Sequence, residues 1–415
     1  MKFIFADSQD LVDPSFDFQS EDRSPHRVRQ RDDLYPHEVL RAPPYDGILV
    51  SKAIVDRQGR YTMGQRRRLL RSGVREFMRL DKEEETRNLE TMGDCGAFSY
   101  VNEEIPPVSV DDVVDFYDSI GFDYGVSVDH IIVAFRADLD EGLPGIDGVP
   151  PEWRRRRDLT LELASEFLKV CQSQSVGFHP IGVAQGWSPQ SYADSVNSLL
   201  KMGYTYIGLG GLVPLKTVEI LSILESLVPI RHPETKMHLF GVTRIDSLPD
   251  FVRLGASSFD STSPLRRAFK DTKHNYYTVE RNYMAVRVPQ VGANPSLKRR
   301  IQAGEIDQGE ALKLERQCLT CLSAYDAGKT SLKVTLEALM AYEELCTGGR
   351  ERIQGYEEVL RDQPWKQCNC GICNVIGIHV VMFRGAERNR RRGFHNLAIT
   401  NEMKNAASIV AGEVN

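Results

Sequence analysis

Short apolar runs rich in β-branched residues alternate along this chain with longer stretches in which apolar residues recur every three to four positions. The short runs predict strands, and the longer stretches predict amphipathic helices that cover them. The predicted strands are residues 47–51, 88–92, 126–135, 176–184, 204–209, 237–242 and 257–259. The predicted helices between them are residues 63–80, 110–120, 160–174, 189–201 and 215–227.

This regular alternation of strand and helix indicates parallel βαβ units. About seven such units favour a closed (β/α)8 barrel, the TIM barrel, over an open sheet. We therefore assign residues 1–285 to a barrel core with an N-terminal extension. A barrel of this kind has its active site at the carboxyl ends of its strands, so polar residues at those ends are the first candidates for chemistry.

The composition is that of an ordinary globular protein. Of the 415 residues, 41% are hydrophobic and 27% are charged. No apolar run approaches the length of a membrane span, and the N-terminus lacks the long apolar region of a signal peptide. We therefore expect a cytoplasmic enzyme that has no membrane partner.

The net charge of −6 argues against indiscriminate binding to nucleic acid, but the basic residues are grouped into local blocks. Any one block is more typical of a solvated helix face. Four blocks in an acidic chain nevertheless predict contact with a polyanion. The blocks are Arg66, Arg67 and Arg68 with Arg71 and Arg75; Arg154, Arg155, Arg156 and Arg157; Lys298, Arg299 and Arg300; and Arg388 with Arg390, Arg391 and Arg392.

Three cysteines near the end of the chain are the strongest single chemical signal. Cys368, Cys370 and Cys373 form a C-x-C-x-x-C cluster, and His395 follows in a Gly-Phe-His-Asn segment that we interpret as a turn. Three thiolates and one imidazole predict a tetrahedral, structural zinc site with no open position for water. His379 is the competing fourth ligand, but it lies in an apolar run that is more typical of a strand or core histidine.

Residues 286–415 are accordingly expected to hold a helical insertion, a zinc-binding subdomain and a C-terminal helix. Residues 297–346 are rich in Leu, Glu, Lys and Ala and predict two or three helices. Cys318 and Cys321 form a second CxxC pair in this stretch. No partner pair accompanies them, so we expect two cysteines on a helix face rather than a second metal site.

Three aspartates fall where a barrel holds its chemistry. Asp94 follows one predicted strand, Asp129 lies within another, and Asp260 ends a third. Each taken singly could cap a helix or pair with an arginine. A buried carboxylate needs hydrogen bonds or a ligand, however, so together they predict a pocket with several carboxylates. Gln185 and the glycine-rich stretch 208–212 also end predicted strands, adding an amide and a backbone that can approach a flat ligand.

In this order, the motifs resemble those of the tRNA-guanine transglycosylase family. Members of that family are zinc-bearing (β/α)8 barrels that exchange a guanine for a 7-deazaguanine base without breaking the nucleic-acid backbone. The resemblance covers residues 45–400 and rests on Asp94-Cys95-Gly96-Ala97-Phe98, Asp129, Gln185-Gly186, Gly210-Gly211-Leu212, Phe259-Asp260, Pro264, Arg266, the three clustered cysteines and His395-Asn396.

The resemblance implies a role for each residue of the pocket. Asp260 would be the nucleophile that captures C1′ of the sugar, and Asp94 would be the general acid and base. Asp129 and Gln185 would read the hydrogen-bonding edge of the base, while Phe98 would stack on its face. Further backbone contacts would come from Gly210, Gly211 and Leu212.

Two departures from the family pattern bear on the substrate. Queuosine-type bacterial members follow Gly-Gly-Leu with a glutamate that helps to bind a cationic aminomethyl group, whereas this chain has Lys216 near that place. A lysine would repel an ammonium, so neutral 7-cyano-7-deazaguanine is the expected base. The segment that follows Asp260 also departs from the tRNA-acting pattern, and with the N-terminus it looks closer to the DNA-acting DpdA branch.

The resemblance therefore implies guanine exchange in DNA, with helper proteins as further partners. The same exchange in tRNA is the alternative. A non-catalytic nucleic-acid-binding subunit is an alternative of another class, although such a subunit would not need both Asp94 and Asp260. A metal-dependent barrel hydrolase would want histidines at strand ends, where only His130 and His179 lie nearby. The residues expected to contact phosphates are Arg154, Arg155, Arg156, Arg157, Arg266, Arg267, Arg390, Arg391 and Arg392.

Overall fold

A computed structural model gives the fold and describes residues 1–56, 60–140 and 148–413, with side chains as far as residue 408. The strands are β1 (Lys2–Ala6), β2 (Gly47–Ser51), β3 (Glu90–Asp94), β4 (Tyr124–Val126), β5 (His179–Ala184), β6 (Tyr206–Leu209), β7 (Lys236–Leu239), β8 (Ala256–Asp260), β9 (Tyr276–Tyr277), β10 (Asn282–Tyr283), β11 (Val286–Arg287) and β12 (Met382–Phe383).

The helices of the first half are α1 (Pro36–Val39), α2 (Lys52–Asp56), α3 (Met63–Phe77), α4 (Glu84–Arg87), α5 (Val110–Ile120), α6 (Pro151–Gln174), α7 (Pro189–Met202) and α8 (Thr217–Leu227). Those of the second half are α9 (Leu248–Arg253), α10 (Ser263–Lys270), α11 (Pro295–Gln302), α12 (Gln308–Asp326), α13 (Leu332–Thr347), α14 (Ile353–Asp362), α15 (Pro364–Gln367), α16 (Gly371–Ile376) and α17 (Gly385–Glu413).

Eight parallel strands, β1 to β8 in chain order, close into a barrel. Strand β1 completes the ring, since Ile4 pairs with Gly47 of β2 and Phe3 pairs with Phe259 of β8. The predicted (β/α)8 barrel is therefore confirmed. Strand β1 itself is not among the predicted strands, because its apolar run is short and no turn residue precedes it.

Apolar side chains from the strands fill the barrel, and small residues let the helices approach it. A Cβ atom on Gly93 would lie 2.3 Å from the Tyr117 ring, and one on Gly125 would lie 2.7 Å from the same ring. Glycine at these two positions of β3 and β4 therefore allows α5 to pack directly on the strands. The buried cluster inside the barrel comprises Ile4, Leu49, Met92, Val126, Ile181, Val183 and Tyr206.

The ends of the predicted elements match best where a cap defines them. Helix α5 has the predicted bounds because the Ser109 side chain accepts from Asp112 N at its start and Gly121 follows its end with φ of 76°. Strand β4 ends at Val126 rather than at residue 135. Ser127 N still donates to Ile181 O of β5 at 2.9 Å, but farther along side chains accept from the backbone: His130 N donates to Thr160 Oγ1 at 3.0 Å, and Ile132 N donates to Gln185 Oε1 at 3.1 Å.

Packing divides the chain into two units. Unit 1 contains Met1–Gln9, Tyr45–Thr262 and Met403–Asn415, while unit 2 contains Asp10–Pro44 and Ser263–Glu402. The barrel unit thus ends about twenty residues before the predicted boundary at 285. Residues 10–44 belong to the unit of C-terminal helices and are not an extension of the barrel.

The end of α17 is part of unit 1 because a buried lysine ties it to the barrel. Lys404 Nζ lies 2.6 Å from Asp46 Oδ2, and the same oxygen accepts from Phe3 N of β1 at 2.7 Å. Lys404 is buried. A single carboxylate therefore fixes both the start of β1 and the last turns of the chain.

In unit 2, residues 10–44 bind to the arginine-rich first part of α17. Glu21 accepts from Arg384 Nε at 2.7 Å and also from Arg388. Arg391 donates to Glu387 Oε2 at 2.6 Å and to Asp13 O at 2.6 Å. These ion pairs and hydrogen bonds are within one unit. They occupy the guanidinium groups of Arg388 and Arg391, which belong to a basic block expected from the sequence to contact a polyanion.

The prediction that Arg390, Arg391 and Arg392 contact phosphates is corrected accordingly. Arg391 and Arg392 are buried, and Arg392 donates to the backbone oxygens of Met382 and Ala268. Arg390 is partly exposed but lies 3.8 Å from Asp10. A buried guanidinium that already has internal acceptors is not available to a nucleic acid, so this block stabilises the fold.

The helices predicted for residues 297–346 and the helical location of Cys318 and Cys321 are confirmed. Three helices, α11 to α13, cover the stretch 297–346, and Cys318 and Cys321 lie on α12. Cys318 is buried against Ala338 O of α13. Among the described residues, no helix combines the length and apolar character needed to cross a membrane.

Candidate active site and metal centre

The carboxyl ends of the barrel strands carry the residues singled out from the sequence. Asp94 is the last residue of β3, and Asp260 is the last residue of β8. Gln185 directly follows β5, and Gly210 directly follows β6. The sequence analysis had placed Asp129 inside a strand, but it lies after β4, which ends at Val126. Because all eight strands are parallel, these residues come together at one end of the barrel.

Asp129 and Gln185 are held against each other. Gln185 Nε2 donates to Asp129 Oδ2 at 2.7 Å, while Gln185 Oε1 accepts from Ile132 N at 3.1 Å. The Cys95 thiol lies 3.3 Å from Asp129 Oδ1. Tyr100 donates to Asp129 O at 3.1 Å. Each carboxylate oxygen therefore has one internal donor and keeps the capacity to accept a second from a ligand.

The glycines after β6 leave room for the Gln185 amide. A Cβ atom on Gly210 would lie 2.1 Å from Gln185 Nε2. Gly211 has φ of 76°, and a Cβ atom there would lie 2.5 Å from Ile132 O. The carbonyl of Gly210 accepts from the Tyr192 hydroxyl at 2.7 Å. Any larger residue would displace the amide, so the stretch Gly210–Leu212 and Gln185 form one rigid wall of the pocket.

Burial changes the acidity of Asp94 and Asp129. Burial raises the pKa of Asp94 to about 7, and the negative charges of Asp129 and Asp260 raise it further. Burial also raises the pKa of Asp129 to about 6, against the opposing effect of the hydrogen bonds from Gln185 and Cys95. Near neutral pH, Asp94 can therefore either donate or accept a proton, as a general acid and base must.

Asp260 is mostly buried and held through one of its two oxygens. Gly241 N donates to Asp260 Oδ1 at 2.7 Å, and His238 Nε2 lies 3.3 Å from the same atom. Only 13% of the Asp260 side chain is exposed. Within the described residues Oδ2 accepts no hydrogen bond, and the two donors at Oδ1 fix the direction in which Oδ2 points. Such an arrangement suits a carboxylate that must attack along one direction.

Several residues of this site were not identified from the sequence. Cys95 and Tyr100 follow Asp94 in a loop whose pattern carries no sign that they support Asp129. His238 lies between apolar residues of β7. A polar residue in such a strand weakly indicates a buried hydrogen-bonding role, and this signal was available in the sequence. Gly241 acts through its backbone N–H, which side-chain identity does not reveal.

The predicted surface residues of unit 1 are placed as follows. Phe98 is exposed after the positive-φ residue Gly96. Arg155 is exposed on the second turn of α6 and lies 3.7 Å from Glu104. Its neighbours have internal partners: Arg156 donates to Ile131 O at 2.8 Å, and Arg157 packs over the Trp187 ring. Arg154 donates to Val149 O at 3.0 Å.

Unit 2 contains a compact group of four metal-ligating side chains. The Sγ atoms of Cys368, Cys370 and Cys373 lie 3.7, 3.4 and 3.4 Å from His395 Nδ1. All four ligand atoms lie within 4.8 Å of one another. Tetrahedral zinc with usual bond lengths would separate sulfur from nitrogen by about 3.6 Å. The spacing fits a four-coordinate ion, and four protein ligands fill every position.

The surroundings of His395 fix which of its nitrogens faces the thiolates. His395 Nε2 lies 2.7 Å from Tyr277 O, so it donates there and leaves Nδ1 free to bind a metal. The Tyr276 ring stacks on the imidazole at 4.2 Å. His395 lies within α17, not in a turn as the sequence analysis expected. His379, the competing ligand, instead lies 3.4 Å from Arg388 Nε.

The fold and the two sites define a TIM-barrel enzyme with a carboxylate pocket and a Cys3His centre. The family TGT, described as queuine tRNA-ribosyltransferase, matches residues 59–329. A DNA-guanine transglycosylase from Salmonella montevideo is 52% identical over 407 residues, which are 96% of this chain and 95% of that protein. The chain belongs to the TGT family, as the resemblance implied, and it is a transglycosylase.

Replacing Asp94 by asparagine should flatten the pH dependence of stability. The pKa of Asp94 is raised from 3.8 to about 7 in the native chain, which therefore holds a proton that the unfolded chain releases. This stabilising contribution is complete below about pH 3.8 and is lost as the pH rises through about 7. Between pH 5 and pH 8 we expect wild type to lose about 2–3 kcal/mol more free energy of unfolding than Asp94→Asn does.

Urea unfolding of both proteins at the two pH values measures this difference. Asp250→Asn is the matched control, because Asp250 is a surface residue of α9 with 52% of its side chain exposed. That variant should follow wild type. An equal loss in wild type and Asp94→Asn would contradict the shifted acidity of Asp94.

Proposed function

We propose that this enzyme exchanges guanine in DNA for 7-cyano-7-deazaguanine through a covalent aspartyl-glycosyl intermediate. The observation that carries the choice of DNA is the 52% identity, over nearly the whole length of both chains, to a protein named DNA-guanine transglycosylase. The family description instead mentions tRNA, so the same exchange in tRNA is the second candidate.

The arrangement of the carboxylates supports a two-step exchange. Asp260 Oδ2 attacks C1′ while the bond from C1′ to N9 of guanine breaks, and Asp94 supplies the proton that the leaving base needs. The incoming base then gives its N9 proton to Asp94, and its N9 displaces the carboxylate from C1′. The acidity of Asp94, with a pKa of about 7, suits a residue that donates in one step and accepts in the next.

Base recognition would use the wall formed by Asp129, Gln185 and the glycines. Asp129 can accept from the ring N–H and the exocyclic amine of a guanine-like base, and the second amide hydrogen of Gln185 can reach its carbonyl. The base is flat, and Gly210 and Gly211 present backbone without side chains. Leu212 is buried directly after them. Phe98, which is exposed, would cover the face of the base.

The preference for a neutral cyano group rests on the charges that follow this wall. Lys216 is exposed at the start of α8, and Arg244 donates to Leu215 O and, at 3.2 Å, to Thr217 Oγ1. Glu219 already accepts from Lys216 N at 2.6 Å. Two cations and a helix N-terminus disfavour an ammonium group on the base, because they would repel it.

The rim of the pocket has the character of a surface for unstacked nucleic acid. Four exposed apolar residues lie on loops that follow barrel strands: Phe98, Ile105, Val133 and Val213. Arg155 lies beside the loop that carries Ile105, since it approaches Glu104. Apolar groups for bases next to a cation for phosphates suit a strand whose target nucleotide has left its stack.

Phosphate contacts would come from arginines that remain exposed. In unit 1 these are Arg155 and, on one face of α3, Arg67 and Arg71. In unit 2, Arg267 is exposed on α10 and Arg266 is partly exposed. Arg155, Arg266 and Arg267 thus stay candidates, and Arg67 and Arg71 are added in place of the buried Arg391 and Arg392. A catalytically inactive binding subunit is disfavoured, because such a subunit would not need the directed Asp260 carboxylate.

The Cys3His group would hold a structural zinc ion. The thiolates and the oriented imidazole are the donors that zinc prefers, and no protein ligand position is left over for a substrate. When bound, the ion would link α16 to α17 within unit 2. It would stabilise the fold of that unit and take no part in the exchange.

Replacing Asp260 should abolish exchange. Asp260→Ala is expected to reduce incorporation of labelled base by more than about a thousandfold, because the nucleophile of a covalent mechanism is lost. The denaturation-resistant adduct with DNA should disappear too, while zinc content and DNA binding stay near wild type. Asp250→Ala on the surface is the control and should retain full activity. Incorporation by Asp260→Ala at near the wild-type rate would exclude this mechanism.

The metal should be lost when one thiolate is replaced. We expect about one equivalent of zinc in the wild-type chain, and Cys370→Ser should lose it together with much of the stability of unit 2, because binding energy of a structural site is folding energy. Elemental analysis and thermal unfolding measure the two effects. Cys321→Ser, a partly exposed cysteine of α12 outside the cluster, should keep its zinc. Zinc retained in Cys370→Ser would remove the assigned site.

The substrate is decided by direct competition. Purified enzyme is given labelled 7-cyano-7-deazaguanine with duplex DNA, single-stranded DNA or tRNA, and the label in each polymer is counted. We expect label in DNA, with single strands favoured because the target base is already unpaired. Label in tRNA alone would overturn the DNA assignment. A preference for the aminomethyl base in the same assay would overturn the inference from Lys216.

A further inference from the structure

We propose that His238 is a positioning residue for Asp260, the last donor in a hydrogen-bonded relay that favours release of the Asp260 carboxylate in the second step of the exchange. The relay runs from Tyr206 through Ser258 to His238. The proposal rests on the function proposed above and adds a residue that the sequence analysis did not identify.

The four side chains come from three adjacent strands and face the inside of the barrel. Tyr206 OH lies 2.6 Å from Ser258 Oγ, which lies 2.7 Å from His238 Nδ1. His238 Nε2 lies 3.3 Å from Asp260 Oδ1. His238 and Ser258 are fully buried, so water does not compete for these hydrogen bonds.

The chemistry of each group fixes the direction of the relay. An ionised carboxylate only accepts, so His238 Nε2–H must be the donor to Asp260. In the neutral ring Nδ1 then accepts, and the Ser258 hydroxyl donates to it. The Ser258 oxygen is left to accept from Tyr206, whose hydroxyl stays protonated because burial raises its pKa. One tautomer of His238 therefore satisfies all three links.

Packing holds the imidazole in this orientation. The Phe240 ring meets it edge to face with centroids 4.5 Å apart. At the far end, the Tyr206 ring packs against Tyr124 at 5.4 Å and beneath Lys236 Nζ at 5.8 Å. Neither ring can rotate without disturbing the barrel interior, so the donor stays aimed at the carboxylate when the substrate changes.

The two donors at Oδ1 affect the two steps of the exchange differently. In the first step Asp260 Oδ2 forms a bond to C1′, the C1′–N9 bond breaks, and the carboxylate loses its negative charge. In the second step the incoming N9 forms its bond to C1′, the C1′–Oδ2 bond breaks, and the electron pair returns to the carboxylate. Donors at Oδ1 stabilise that returning charge, so they favour the second step.

Loss of His238 should therefore slow the second step and cause the covalent intermediate to accumulate. We expect His238→Leu to lower kcat about tenfold to a hundredfold, the effect of one hydrogen bond to a charged group, with little change in KM for the incoming base. The fraction of enzyme trapped as the DNA adduct during turnover should rise. A purely structural defect would lower the adduct and kcat together.

Further variants separate positioning from packing. His238→Gln keeps an N–H donor within reach of Oδ1 and should recover most of kcat, while Ser258→Ala frees the tautomer of His238 and should give an intermediate loss. His179→Leu is the matched control, because His179 is exposed at the opposite end of β5 and should behave as wild type. Should His238→Leu fail to fold, the comparison of His238→Gln with Ser258→Ala carries the test.

The outcomes distinguish this inference from the proposed function. Wild-type kcat in His238→Leu, or an adduct fraction that falls in proportion to kcat, would overturn the role of His238 while the transglycosylase assignment stands. Equal losses in His238→Gln and His238→Leu would overturn it as well. No adduct in wild type with either DNA or tRNA would overturn the proposed mechanism itself, and the inference with it.

Discussion

The pairing of β1 with β8 is the constraint on which the rest of the barrel unit depends. It turns a row of parallel strands into a ring, and a ring of parallel strands has all its carboxyl ends on one side. Residues that lie far apart in the chain, such as Asp94 and Asp260, then belong to one pocket. The short run at the N-terminus therefore determines the geometry of a site to which it contributes no catalytic side chain.

Gathering several carboxylates in one pocket has an energetic cost, and the structure offsets it in two ways. Asp129 and Asp260 receive donors from side chains and from backbone, namely Gln185, Cys95 and Gly241. Asp94 is instead relieved by holding a proton, since its pKa lies near neutrality. The crowding of carboxylates thus destabilises the pocket but also raises the pKa of Asp94. Asp94 can therefore donate and accept protons beside two hydrogen-bonded carboxylates.

The sequence predicts those features that depend on local pattern and misses those that depend on distant partners. Helix α5 is predicted with its observed bounds because Ser109 and Gly121 mark its ends, and the cysteine cluster is predicted because its ligands have a fixed spacing. The extent of β4 is not predicted, because a side chain from beyond β5 draws its backbone away from the sheet. The arginines of α17 are misassigned for the same reason, since their acidic partners lie near the other end of the chain.

Those partners have a consequence for how the protein is made. Glu21 emerges from the ribosome 367 residues before Arg388, which it binds in the finished fold. All eight barrel strands have been translated once residue 260 is made, whereas Glu21 can pair with Arg388 only after translation has reached α17. Until α17 is made, Glu21 lacks its partner Arg388, whereas Asp33 of the same segment can already pair with Arg27. A pairing over this distance in the chain can form only late, so the ion pairs of Glu21 contribute to the stability of the finished unit 2 and not to the first steps of its folding.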